Sequence, residues 1–112
     1  MKIKQTTDDV EALLRIHKLA FGEDNEATLV NNLLKDDTAK PLLSLIASDN
    51  EMAVGHVLFT KVSIKGDETV KAHILAPLAV IPNYQKKGIG GKLIIEGLRI
   101  LKNIGTDLVF VL

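Results

Sequence analysis

Cysteine and tryptophan are both absent from this 112-residue chain, and its aromatic residues are three phenylalanines and one tyrosine. Without cysteine there is no disulfide framework, no thiolate nucleophile and no cysteine-bound zinc. So few aromatic rings leave little with which to stack nucleobases. Charge of one sign is also missing, since 14 Lys and Arg balance 14 Asp and Glu. No global basic field draws the chain to nucleic acid or to anionic lipid, so any anion site must be local. Apolar runs fall well short of the ~20 residues that cross a bilayer, and Met1 to Thr6 lacks the apolar stretch of a signal peptide. The expectation is a metal-free cytoplasmic protein that engages neither membrane nor nucleic acid.

With 46% apolar and 25% charged residues the composition is that of an ordinary globular domain. The length allows one domain, residues 1–112, with one modest core and no linker, repeat or low-complexity tract. Lys2 to Gln5 alternates as a strand does. Thr6 or Thr7, followed by Asp8 and Asp9, supplies an N-cap and first-turn acids for a helix carrying Val10, Leu13, Leu14, His17 and Phe21 at helical spacing. Gly22 ends it, and Asn25 is the expected cap of a second helix bearing Leu29, Val30, Leu33 and Leu34. Leu42 to Ser48, Met52 to Val62 and Thr69 to Val80 read as an antiparallel meander with turns at Asp49-Asn50 and Lys65-Gly66-Asp67.

From Gly88 to about Asn103 the polar residues Lys92, Glu96, Arg99 and Asn103 mark one side of a helix. Ile89, Leu93, Ile94, Leu98, Leu101 and Ile104 mark the other. Gly105 stops it, and Asp107 to Leu112 is apolar enough to predict a strand buried on both faces and parallel to the meander's last strand. The fold class is therefore α/β, in the order β-α-α-β-β-β-α-β.

Chemistry concentrates at Gln85-Lys86-Lys87-Gly88-Ile89-Gly90-Gly91, where a loop enters the third helix. The first amides of a helix have no internal partner, the helix dipole is positive there, and glycine admits close approach of phosphate oxygens. Lys86, Lys87 and Lys92 add charge. On these residues alone the glycines serve equally well as a tight turn. A P-loop does not fit, because Lys86 stands where its first glycine belongs and Leu93 replaces its Ser or Thr. A dinucleotide fingerprint fails too, lacking its third glycine at Leu93 and placing Pro82-Asn83-Tyr84 between strand and loop. Pro77 and Pro82 predict broken pairing around Leu78, Ala79 and Val80, leaving backbone groups free for a ligand.

Leu75 to Gly90 as a whole resembles the acetyl-CoA motif of the GNAT superfamily of N-acetyltransferases: Gln85, Gly88 and Gly90 match its pattern of Gln or Arg, two residues, Gly, one residue, Gly or Ala. The element order is similar to that family over the whole chain. The resemblance implies a GNAT-like mixed sheet. It also implies acetyl-CoA as co-substrate, its pyrophosphate on the amides of Gln85 to Gly90 and its pantetheine arm along the backbone of Leu78 and Val80, with a splay between the last two strands admitting the thioester. It further implies direct acetyl transfer to a primary amine of a small molecule or protein. GNAT domains usually continue with a further helix and two strands, so the resemblance implies a domain truncated after its fifth strand.

No general acid is assigned, since the tyrosine that serves many family members lies in that further helix, and Tyr84 sits in the phosphate loop. His56, His73 and Glu26 are the candidate bases by chemistry and rough location. Each also reads as structural: His56 as a hydrogen-bonded sheet residue, His73 as a residue of a solvated or helix-covered face, Glu26 as a first-turn acid. His17 reads as a packing residue. A non-catalytic CoA-binding or assembly module is the alternative. The apolar final strand predicts a homodimer built around the end of the sheet.

Overall fold

A computed structural model describes residues 1–112. Its elements follow the order expected: β1 (Lys2–Gln5), α1 (Val10–Phe21), α2 (Asn25–Lys35), β2 (Leu43–Asp49), β3 (Met52–Val62), β4 (Ala72–Val80), α3 (Ile89–Asn103) and β5 (Leu108–Val111). Short 3-10 turns at Asp37–Ala39 and Pro82–Tyr84 precede β2 and α3. The five strands form one mixed sheet in the order β1-β2-β3-β4-β5, antiparallel except for the parallel β4–β5 pair that the α3 crossover makes.

The helix starts differ from expectation by a residue or more. Asp9, rather than Thr6 or Thr7, caps α1, its carboxylate accepting from the Ala12 amide at 3.2 Å. Asp24 occupies the cap position of α2, and Asn25 is already helical, its side chain donating to Glu23 instead. The turn after β3 holds Asp67 in an Asx turn with Thr69, so β4 begins at Ala72 rather than Thr69.

Two glycines fix how α3 lies on the sheet. A Cβ on Gly55 would stand 3.1 Å from Leu93 and 3.2 Å from Ile89, so β3 and α3 approach closely there. Gly97 lies against the ring of the fully buried Phe59, where a Cβ would overlap ring atoms. Gly97 is thus on the buried stripe with Ile89, Leu93 and Leu101, while Leu98 and Ile104, assigned to that stripe from spacing, are exposed. Binary patterning scores glycine as neutral and misses a site where only a missing side chain fits. The opposite face is covered by α1, whose His17 reaches His56 of β3.

β5 was expected to be buried on both faces and is not. Leu108, Phe110 and Val111 are exposed, because β5 takes the sheet edge and the helices pack on β2, β3 and β4.

The feature that shapes the site is a bulge. Val57 faces Leu78 and Phe59 faces Leu75, so Ala76 and Pro77 together stand opposite Leu58, one residue more than regular pairing takes. β5 pairs with β4 only from Ala72 to Leu75, and Leu78 to Val80 have a strand partner on the β3 side alone.

Gly97→Ala is expected to destabilise the fold by ~1–3 kcal/mol through overpacking against Phe59. Gly91→Ala, with nothing within 4 Å of the added methyl, is expected to leave the melting temperature unchanged or raised. Thermal or urea unfolding of the two variants beside the parent checks both directions.

Candidate functional site

At the end of β4 the chain passes through the 3-10 turn, closed by Tyr84 N–H to Ile81 O at 2.9 Å and Gln85 N–H to Pro82 O at 3.3 Å. Lys86 (φ 64) and Gly88 (φ 83) then take left-handed conformations. Such alternation turns successive amides toward one concavity, and a non-glycine residue held in it costs about 1 kcal/mol or more. Lys92 N–H is the first α3 amide to find a backbone acceptor, Gly88 O at 3.1 Å. The six amides of Lys86, Lys87, Gly88, Ile89, Gly90 and Gly91 meet no acceptor in the chain. They stand at the positive end of a 15-residue helix, on the exposed residues Lys86 to Gly88 and the first turn that follows.

The edge of β4 adjoins this row. Ile81 N–H donates to Val54 O on β3 at 2.9 Å, and backbone groups alternate between the two edges of a strand. Ala79, two residues back and opposite His56, therefore directs its N–H and C=O to β3 and supports the strand without offering groups to a ligand. Leu78 and Val80 direct theirs to the other edge, where β5 does not follow. Gln85 Nε2 donates to Val80 O at 2.9 Å, tying the loop to the strand and already using one of these groups. Leu78, Val80 and Gln85 to Gly91 thus come together as one surface.

The candidate bases do not join it. His56 is fully buried, its Nδ1 2.8 Å from His17 Nε2 and its Nε2 2.8 Å from Ser44 Oγ. Burial holds the His17 pKa down to about 4, and burial together with the neighbouring His17 holds that of His56 down to about 3. Both rings are neutral in ordinary buffers, and the chain they form joins α1 to β2 and β3. The pairing of His17 with His56 carried no sequence signal, because 39 residues separate them.

His73 is nearly buried at the opposite end of β4, roughly 20 Å along the strand from Val80. Its Nε2 donates to Pro41 O at 2.9 Å, which leaves Nδ1 to accept from Thr106 Oγ1 at 3.2 Å. It floors a concavity of about 450 Å³ between the β3–β4 loop and the turn after α3. That concavity is remote from the row of free amides, and size alone does not make it the site. Glu26 lies half-buried on α2, with one carboxylate oxygen buried and unpartnered, and makes no hydrogen bond to the loop.

Sequence reasoning also missed a link through Tyr84. Its hydroxyl donates to Asp49 Oδ2 at 2.9 Å, and Lys87 Nζ lies 5.3 Å from its ring centre. The hydrogen bond to Asp49 raises the phenol pKa, the carboxylate's charge adding to it.

The fold agrees with the comparisons. A sequence model of the acetyltransferase (GNAT) domain matches residues 3–112, and the chain belongs to that family. The uncharacterised N-acetyltransferase YjhQ of Escherichia coli K12 is 48% identical over 105 residues, covering 93% of this chain and 58% of its own length. The N-acetyltransferase YhbS of the same strain is 36% identical over 97 residues, 54% of its length. The chain thus spans a little over half of these curated relatives. The crystal structure of E. coli YhbS in complex with CoA superposes with a TM-score of 0.90 at 31% identity, over 99% of this chain and 61% of that one. A GNAT acetyltransferase from Brucella melitensis in complex with acetyl-CoA gives 0.88, also at 31% identity, over 99% and 74%.

The histidine pair makes stability depend on pH. Both folded pKa values lie below the ordinary 6.5, so the unfolded chain binds more protons as the solution is acidified. Their contribution is fully present above about pH 6.5 and is lost as the pH falls toward 4 and then 3. Each proton taken up contributes a slope of up to about 1.4 kcal/mol per pH unit. A His17→Leu/His56→Met double variant is expected to flatten this acid limb in urea titrations between pH 7 and 4.

Proposed function

We propose that this chain binds acetyl-CoA at the head of α3 and serves acetyl transfer from it to a primary amine. The observation that supports this reading most is the row of six unpaired amides from Lys86 to Gly91, next to the unpaired edge of β4. A pyrophosphate carries the acceptor oxygens those donors lack, and a pantetheine arm carries amides that pair with an extended strand edge. The CoA and acetyl-CoA complexes of two relatives at 31% identity support the same ligand.

On this reading the amides of Lys86, Lys87, Gly88, Ile89, Gly90 and Gly91 hold the pyrophosphate, Gln85 braces the loop through its bond to Val80 O, and Leu78 with the Val80 N–H aligns the arm. The amine attacks the thioester carbonyl directly, a C–N bond forming as the C–S bond breaks. The attacking nitrogen gives up a proton, and the departing thiolate takes one. His56 is unsuited as the base, being buried, neutral and already hydrogen-bonded. His73 is engaged at both ring nitrogens at the far end of β4. Glu26 remains the candidate with a free carboxylate oxygen.

That none of the candidate bases His56, His73 and Glu26 hydrogen-bonds to the loop favours a second reading, a CoA-binding module without turnover of its own. The acceptor is a small-molecule or protein amine rather than nucleic acid, consistent with equal numbers of acidic and basic residues. The proposal places the chain in the cytoplasm as a single domain. It includes a homodimer that buries Leu108, Phe110 and Val111 on the β5 edge.

Calorimetry with CoA is expected to show binding that Gly90→Val weakens by about tenfold or more. A Cβ here meets Leu78 Cδ2 at an ordinary contact distance of 3.5 Å in the free protein, and thermal unfolding of the variant beside the parent separates loss of the ligand from loss of the fold. Lys102→Ala, at the other end of α3, is expected to bind as the parent does. A thiol-release assay with acetyl-CoA and a panel of primary amines separates the readings: binding with turnover supports transfer, binding without it supports the module. Absence of binding by the parent overturns both.

A further inference from the structure

The geometry points to Tyr84 and Asp49 as positioning residues that set the strength of the phosphate loop by fixing the ammonium group of Lys87. This rests on the reading of the loop as a pyrophosphate site and assigns two residues to it that are not among the ligand-contacting groups.

Three residues form one chain through two contacts. Asp49 ends β2 and opens the tight turn whose Asn50 and Glu51 both have positive φ, so its carboxylate is held at a rigid hairpin. It forms no ion pair within the chain and instead accepts the Tyr84 hydroxyl at 2.9 Å. Tyr84 is half-buried against the core, its ring lying between that hairpin and the loop. Lys87, exposed and likewise without an ion pair, places its ammonium 5.3 Å from the ring centre, within the range of a cation–π attraction.

The chain couples electronically as well as geometrically. A phenol donating to a carboxylate shifts electron density toward its ring, and the negative face that attracts the lysine is strengthened. Asp49 acts on Lys87 through the ring, without touching it. A free lysine loses substantial rotamer entropy when it pairs with a phosphate. Here the ring face has restricted the side chain beforehand, and Lys87 belongs to the same run of six residues whose unpaired amides would meet the anion. Preorganisation of this kind raises affinity without adding a contact to the ligand.

The test is a double-mutant cycle read by CoA calorimetry at several salt concentrations, on Tyr84→Leu, Lys87→Met and their combination, with Tyr84→Phe and Asp49→Asn beside them. The parent is expected to bind CoA; if it does not, the pyrophosphate reading itself falls. Given binding, Tyr84→Leu and Lys87→Met are each expected to weaken it three- to tenfold, in line with the range of cation–π energies. Each should also reduce the salt dependence of Kd, which a merely structural defect does not change. The combined variant is expected to be little weaker than either single one. Tyr84→Phe keeps the ring and loses the anchor, and with Asp49→Asn should fall between the parent and Tyr84→Leu; these two conservative variants keep the test valid if Tyr84→Leu does not fold. Losses that add fully in the double variant, or a Tyr84→Leu protein with undiminished salt dependence, would overturn the proposal while leaving the pyrophosphate reading intact.

Discussion

A backbone amide that no acceptor in the chain meets must be satisfied by solvent or by a ligand, and a run of them longer than the four that any helix start leaves is a demand on whatever lies outside. In this protein six consecutive amides, Lys86 to Gly91, are in that state. Much of the architecture keeps them so. The left-handed residues Lys86 and Gly88 prevent the helix from starting earlier and absorbing the amides into its own ladder. Gln85 ties the loop to Val80 O, and Tyr84 ties it to Asp49. Gly55 and Gly97 let α3 settle close on β3, so the head of the helix arrives beside the end of β4. The bulge at Ala76 and Pro77, with β5 pairing that covers only Ala72 to Leu75, leaves the adjoining strand edge open.

Electrostatics follow the same local logic. The chain has no net charge, and its only ion pairs, Lys18–Asp24, Lys40–Asp37 and Arg99–Glu96, are exposed and away from the loop. Such pairs contribute little to stability. The lysines of the loop remain without ion-pair partners, so cationic side chains gather there although the whole is neutral. In the interior the reverse holds: His17 and His56 are kept neutral by burial, and their hydrogen bonds fasten α1 to the sheet instead of serving proton transfer.

The strands and helices were legible because their signals are local. Alternation marked β1, helical spacing marked α1 and α3, and Asp49-Asn50 and Lys65-Gly66-Asp67 marked the turns. The loop was legible for the same reason, its glycines and lysines being contiguous. What was not legible depends on partners distant in sequence. Asp49 and Tyr84 stand 35 residues apart and His17 and His56 stand 39 apart, and neither pair has a pattern that announces it. Leu98 was misassigned to the core stripe because the spacing rule cannot see that the Phe59 ring needs the empty place at Gly97. The β5 strand was misjudged because an apolar run reads the same whether a sheet's centre or its edge receives it.

The most direct test of the account is an amide-resolved NMR titration of the parent protein with CoA. The account predicts that the largest changes fall on the amides of Lys86 to Gly91, moving as amide protons do when they gain a phosphate acceptor, with smaller changes at Leu78 and Val80. Changes centred instead on His73, Ile104 and Thr106, around the concavity at the other end of the sheet, with the loop unmoved, would contradict it.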